Sequence, residues 1–115
     1  GVTVSLLAGV GTTGDAAGDT LASFENLVGS AHDDKLTGSN AANTLDGGRG
    51  SDTLEGGLGA DTLQGRGGRD ILVGGSGNDI LIGGAGNDTF VLSDISTSTD
   101  TIAAFVSGRD ELRIS

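Results

Sequence analysis

The chain has 115 residues, room for one domain, with 23 glycines, three phenylalanines as its only aromatics, and no proline, cysteine, methionine, tryptophan or tyrosine. The lack of cysteine excludes disulfide staples and thiolate metal sites, and so few bulky side chains point to a thin, repetitive core rather than a compact globule. Sixteen acids against six bases give a net charge of −10, which argues against nucleic acid or an anionic membrane as a partner.

No apolar run is long enough for membrane insertion, and no basic segment precedes an apolar one to make a secretory leader. The chain begins at Gly1 without any methionine, which reads as a piece of a larger protein. Val2 to Leu7 alternates VTVSLL and predicts a strand, followed by a glycine-rich stretch from Gly9 to Gly14. GDAAGDTLA, Gly14 to Ala22, is the first nine-residue unit, with Asp19 sixth and Leu21 eighth. Ser23 to Val28 supplies only six residues, so Phe24 and Leu27 are expected to fill the core of a capping coil over residues 1–28.

GSAHDDKLT (Gly29 to Thr37) and GSNAANTLD (Gly38 to Asp46) restore the period, with Leu36 and Leu45 eighth. Their loops are degenerate: Ser30, His32, Ser39 and Ala41 stand where glycines are expected, and Asn43 replaces the sixth aspartate. Asparagine tolerates left-handed backbone and bonds its own turn, so Asn40 and Asn43 suit a loop stapled without metal. His32 has no second histidine or cysteine to join it and reads as a loop residue. Five in-frame copies follow from Gly47 to Val91: GGRGSDTLE, GGLGADTLQ, GRGGRDILV, GGSGNDILI and GGAGNDTFV. Aspartate is sixth in each (Asp52, Asp61, Asp70, Asp79, Asp88) and a large apolar residue eighth (Leu54, Leu63, Leu72, Leu81, Phe90). A strict period of this kind is the signature of a solenoid.

Outward places seven and nine are polar in the early copies (Thr53, Glu55, Thr62, Gln64) and apolar later (Ile71, Val73, Ile80, Ile82, Val91). After Val91 the repeat dissolves, and residues 92–115 read as a capping segment whose Ile102, Phe105, Leu112 and Ile114 cover the apolar rows and the open end.

The five copies resemble the RTX calcium-binding nonapeptide repeat, closely over Gly29 to Val91 and loosely over Gly14 to Ser115. The resemblance implies an all-β, right-handed parallel β-roll (a β-solenoid) with two short-stranded parallel sheets and calcium ions in the turns. Six residues turn and three extend, so two units make one circuit and coils stack about 4.8 Å apart. Aspartates then form two columns, Asp52, Asp70 and Asp88 on one edge and Asp61 and Asp79 on the other. Neighbours in a column would repel by roughly 1–3 kcal/mol at about 5 Å, so the stack needs a cation. Carboxylate and carbonyl oxygens suit calcium, with its 6–8 adaptable ligands, better than the smaller magnesium.

The resemblance also implies ion sites between loops one circuit apart, each bracketed by sixth-place aspartates and completed by alternate carbonyls. Between the Gly47 and Gly65 loops these are Gly47, Arg49, Ser51, Arg66 and Gly68 with Asp52 and Asp70. Between the Gly56 and Gly74 loops they are Gly56, Leu58, Ala60, Gly75 and Gly77 with Asp61 and Asp79. Between the Gly65 and Gly83 loops they are Gly65, Gly67, Arg69, Gly84 and Gly86 with Asp70 and Asp88. Weaker sites draw on Gly29, Ala31, Asp33, Asp34, Gly48 and Gly50, and on Gly38, Asn40, Asn43, Gly57 and Gly59. Arg66 in place of a loop glycine puts regular geometry there in question.

Catalytic residue types are nearly missing, and the aspartates recur mechanically instead of forming one asymmetric pair, so the module reads as non-enzymatic. GRGGR at Gly65 has no βαβ unit around it, and Asp46 and Gly47 lack the remaining EF-hand spacings. The family implies an extracellular module, exported by a type I system, whose partners are calcium and the rest of the parent polypeptide. The alternatives are a polysaccharide-binding module like those of alginate-modifying enzymes, marked by outward bases and aromatics, and a spacer in a surface adhesin.

Overall fold

A computed structural model describes residues 3–5, 10–13, 26–92, 99–103, 105 and 109–114. The proposed unit with Asp19 and Leu21, and Phe24 beside it, lie outside the described residues. Every described element is a strand: β1 Thr3–Ser5, β2 Val10–Thr13, β3 Asn26–Val28, β4 Lys35–Thr37, β5 Thr44–Asp46, β6 Thr53–Gly57, β7 Thr62–Gly67, β8 Ile71–Gly75, β9 Ile80–Ala85, β10 Thr89–Leu92, β11 Thr101–Ala103 and β12 Glu111–Ile114. They form two sheets, ordered β12-β10-β8-β6-β4-β1-β2 and β11-β9-β7-β5-β3, in which neighbours are parallel except for the terminal pair of β1 and β2. Alternate strands enter alternate sheets, as a parallel β-roll requires.

Register follows the eighth place. Leu36, Leu54, Leu72, Phe90 and Leu112 align in one sheet, and Leu27, Leu45, Leu63, Leu81 and Ile102 in the other. In a three-residue strand flanked by turns only the middle side chain points inward, so each unit contributes one core residue. Leu36, Leu45, Leu54, Leu63, Leu72, Leu81 and Phe90 are completely buried, with Leu27, Leu92 and Ile102 packed against them. Each such side chain stabilises the roll by about 1.5–3 kcal/mol through burial.

The ends differ from expectation. The glycine-rich stretch after β1 contains β2, which turns back antiparallel and closes that sheet. At the other end the repeat does not dissolve. β11 and β12 add to β9 and β10 in parallel register, each preceded by an aspartate, Asp100 and Asp110, in the sixth-place position. The described part of the tail therefore extends the sheet edges, and Ile71 and Ile80 remain 42% and 44% exposed. Main-chain hydrogen bonding satisfies the edges first, because an unpaired strand costs more than an exposed isoleucine.

Candidate metal centre

The sixth-place side chains form two hydrogen-bonded ladders. Asp52 Oδ1 accepts the Asp34 N–H at 2.8 Å, Asp70 Oδ1 the Asp52 N–H at 2.9 Å, Asp88 Oδ1 the Asp70 N–H at 3.0 Å, and Asp110 Oδ1 the Asp88 N–H at 3.0 Å. On the opposite edge Asp61, Asp79 and Asp100 accept from Asn43, Asp61 and Asp79 in the same way. Strand pairing takes up the carbonyl of each sixth-place residue from Asp34 to Asp88, as when Ile71 donates to Asp52. The carboxylate one coil later caps the N–H that pairing leaves over. Asp100 and Asp110 were not read from the sequence as site residues, although the DTIA and DELR segments keep the strand half of the unit, an aspartate followed by x-apolar-x.

The second carboxylate oxygens are different. Oδ2 of Asp52, Asp61, Asp70, Asp79 and Asp88 is buried with no hydrogen-bond partner, and each presses against the first glycine of its own loop. A Cβ on Gly47, Gly56 or Gly74 would stand 2.5 Å from it, and one on Gly65 or Gly83 would crowd it as closely. Burial pushes the carboxyls of Asp52, Asp61 and Asp79 up to about 6 and that of Asp70 to about 7, and raises Asp88 as well. Five buried oxygens without partners, all hard donors, are what a dication would satisfy. The residues present fit calcium.

The carbonyls that face this region are sorted by place. The ninth-place Gln64 carbonyl accepts the N–H of Gly47, one coil before it, which fixes the phase of the alternation. First-place carbonyls then face the preceding coil: those of Gly47, Gly56, Gly74 and Gly83 lie against Gly29, Gly38, Gly56 and Gly65. Second- and fourth-place carbonyls face the following coil, those of Gly57 and Arg66 against Gly75 and Gly84, and those of Gly50, Gly59 and Gly68 against Gly68, Gly77 and Gly86. The sense expected from the sequence is therefore one gap out. The Gly47 carbonyl faces the gap before its loop, and those of Arg66 and Gly68 the gap after theirs. Period alone does not set this phase; the sheet ladder does. Arg49, Ser51, Leu58, Ala60 and Arg69, at third and fifth places, keep their side chains exposed, so what they offer the turn is main chain.

Arg66 does not disturb its loop. Its φ of 80° lies beside the 88°, 94°, 88° and 89° of the second-place Gly48, Gly57, Gly75 and Gly84. Its guanidinium forks onto Asp46, with Nε 3.1 Å from both carboxylate oxygens and Nη2 2.7 Å from Oδ2. The pair holds a left-handed conformation that an L residue otherwise resists.

The degenerate loops close themselves. Ser30 gives its N–H to Asp34 Oδ2 at 2.6 Å and its hydroxyl to Oδ1 at 2.8 Å, and Ser39 gives both to Asn43 Oδ1 at 2.7 and 3.2 Å. Serine in the second place thus does for Asp34 and Asn43 what nothing among the described residues does for the later aspartates. Asp33 takes the Ser51 N–H at 2.7 Å, while Asn40 and His32 are exposed. Among the described residues no three His, Cys, Asp or Glu side chains converge as a metal cluster. The oxygens gathered at each gap between the regular loops come from two aspartates and from main chain.

The fold and these turns define a parallel β-roll whose loops gather buried carboxylate oxygens and main-chain carbonyls between coils. Two overlapping matches of a family model, RTX calcium-binding nonapeptide repeat, cover residues 28–63 and 55–90, more than half of the sequence. The chain belongs to this family. No curated protein matches it. Among the described residues no helix is long and apolar enough to cross a membrane.

Proposed function

We propose that the chain is a calcium-triggered folding module of a larger secreted protein, disordered before export and closing into the roll where calcium is plentiful. The observation that carries this reading is the set of five buried carboxylate oxygens without partners. RTX repeats occur in secreted proteins, which supports the extracellular setting. Calcium, when bound, supplies the positive charge that lets these carboxylates stay ionised in a buried stack.

The chain's own residues do the rest. Arg66, Gly68 and Gly83 carbonyls with Asp70 and Asp88 would hold an ion between the Gly65 and Gly83 loops. Gly57, Gly59 and Gly74 with Asp61 and Asp79 would hold one between the Gly56 and Gly74 loops, and Gly48 and Gly50 with Asp52 and Asp70 one between the Gly47 and Gly65 loops. Extracellular-type sites have dissociation constants of about 10⁻⁴ to 10⁻³ M, so cytosolic calcium leaves them empty and the acidic, glycine-rich chain unfolded.

Asp70→Asn is the test, because it keeps the Oδ1 cap on Asp52 and removes the charge shared by two gaps. Calorimetric calcium titration should show loss of at least one ion and weaker binding of the rest, whereas Asn43→Ala, in a loop that Ser39 already satisfies, should change little. Equal losses in the two variants would refute the assignment. The polysaccharide reading gains little from the structure. A groove of about 770 Å³ runs past Val28, Asp46, Gln64 and Ile82, but no aromatic ring is among its described lining residues and Arg66 is engaged by Asp46.

A further inference from the structure

The edge that carries Asp52, Asp70 and Asp88 ends in a gap unlike those before it. Arg109, the residue ahead of Asp110, brings its guanidinium between the Gly83 loop and the final coil. Its Nη2 donates to the Gly84 carbonyl at 3.4 Å, and its Nε lies 3.9 Å from Asp110 Oδ1. Gly84 is a second-place residue, the kind whose carbonyl faces the following coil at Gly57 and Arg66. The Asp110 side chain is fully buried and caps the Asp88 N–H. A turn carbonyl and a buried carboxylate from successive coils therefore converge on one tethered cation.

On the opposite edge, no cation among the described residues pairs with Asp100, which caps Asp79.

We propose that the Arg109 guanidinium is the resident cation of this last gap and holds the final coil on the Gly83 loop in place of calcium. A guanidinium seeks the same carboxylate and carbonyl oxygens and is always charged. Because it is covalently attached, its presence does not depend on the calcium level. The end of the roll is thereby provided with a cation in advance, and coils filled by calcium have a docked end to stack against.

The proposal rests on calcium filling the earlier gaps, and the experiment separates the two ideas. The full chain and four variants (Arg109→Ser, Arg109→Lys, Asp110→Asn and Lys35→Gln) are titrated with calcium. Folding is read by far-UV circular dichroism and bound ions by native mass spectrometry. Lys35 is exposed on β4, and its loss of charge makes an acidic chain attract calcium more strongly, so the folding midpoint of Lys35→Gln falls. Arg109→Ser removes the same charge and should move the opposite way, raising the midpoint roughly twofold, with Arg109→Lys restoring it. Asp110→Asn should bind as many ions as the native chain. One ion fewer in Asp110→Asn, or a fall in midpoint for Arg109→Ser that follows Lys35→Gln, overturns the proposal. Binding of no calcium by the native chain would sink the calcium reading itself, and this proposal with it.

Discussion

Gly67 and Gly68 are neighbours in one loop, yet the structure gives them opposite tolerance. A Cβ on Gly67 would meet nothing within 4 Å. On Gly68, where φ is 113°, it would stand 2.7 Å from the carbonyl carbon of Gly50 and closer still to its oxygen. Gly68→Ala forces an L residue into a left-handed conformation at about 1–2 kcal/mol, and the group it strikes is backbone, which cannot rotate aside as a side chain would. Opening the coil spacing to relieve that contact costs roughly another 1–2 kcal/mol. A total of about 2–4 kcal/mol is a large share of the stability of a small domain. Gly67→Ala should be neutral, or stabilise by about 0.4–1 kcal/mol by restricting the unfolded chain. Urea unfolding at saturating calcium, followed by circular dichroism, should separate the two variants by roughly 1–3 M in midpoint. The calcium needed for folding should rank them in the same order. If the midpoints coincide, the fourth place is not the steric contact between coils and the stacked-loop geometry is wrong.

Acid should partly replace calcium. The folded-state carboxyls of Asp52, Asp61 and Asp79 at about 6 and of Asp70 at about 7 lie above the ordinary value of 3.8. The metal-free roll is thus favoured below 3.8 and loses that contribution as pH rises through 6 and 7; in chelator, β-signal at about pH 5 should exceed that at about pH 8, and a flat profile would contradict the burial. Leu72→Ala, in the fully buried column, should cost about 2–5 kcal/mol in a denaturant titration, while Ile71→Ala, one residue away and 42% exposed, should stay within about 1 kcal/mol of the native chain. A chain ending at Val91 loses the carboxylates that cap Asp79 and Asp88 together with the Phe105 ring, which packs 5.9 Å from that of Phe90. It should need more calcium to fold or associate once folded, and an unchanged calcium midpoint with a monomeric light-scattering mass would show that the tail is dispensable.

The core could be read from the sequence because each unit exposes one decision, the eighth place, and a leucine there every nine residues admits a single register. The aspartate columns followed from the same period. What escaped depends on phase and on loop length. Periodicity says that carbonyls alternate but not which of them face up, and that was settled by hydrogen bonds such as that from Gly47 to Gln64. Arg66 looked like a defect because glycine is the usual owner of positive φ, and its fork to Asp46, 20 residues away, is invisible in a nine-residue frame. The coils headed by Asp100 and Asp110 were missed because their caps span 21 and 22 residues where the regular repeat spans 18.

Those last two coils separate two tasks that the repeat fuses. A sixth-place aspartate has one oxygen for the roll and leaves one, on the proposed calcium reading, for the ion. Oδ1 caps an N–H of the coil before it, and Asp100 and Asp110 do this outside the regular nine-residue frame. Among the described residues, a buried Oδ2 without a partner marks the five units from Gly47 to Val91, whereas in the earlier loops a second-place serine donates to the sixth-place side chain. On the proposed calcium reading, the glycine positions of the motif belong to metal holding and close loop stacking, while the aspartate with its x-apolar-x strand belongs to the solenoid itself. A unit can lose the first half and remain a coil, and it is the difference between the halves, more than the number of repeats, that sets how many gaps call for calcium.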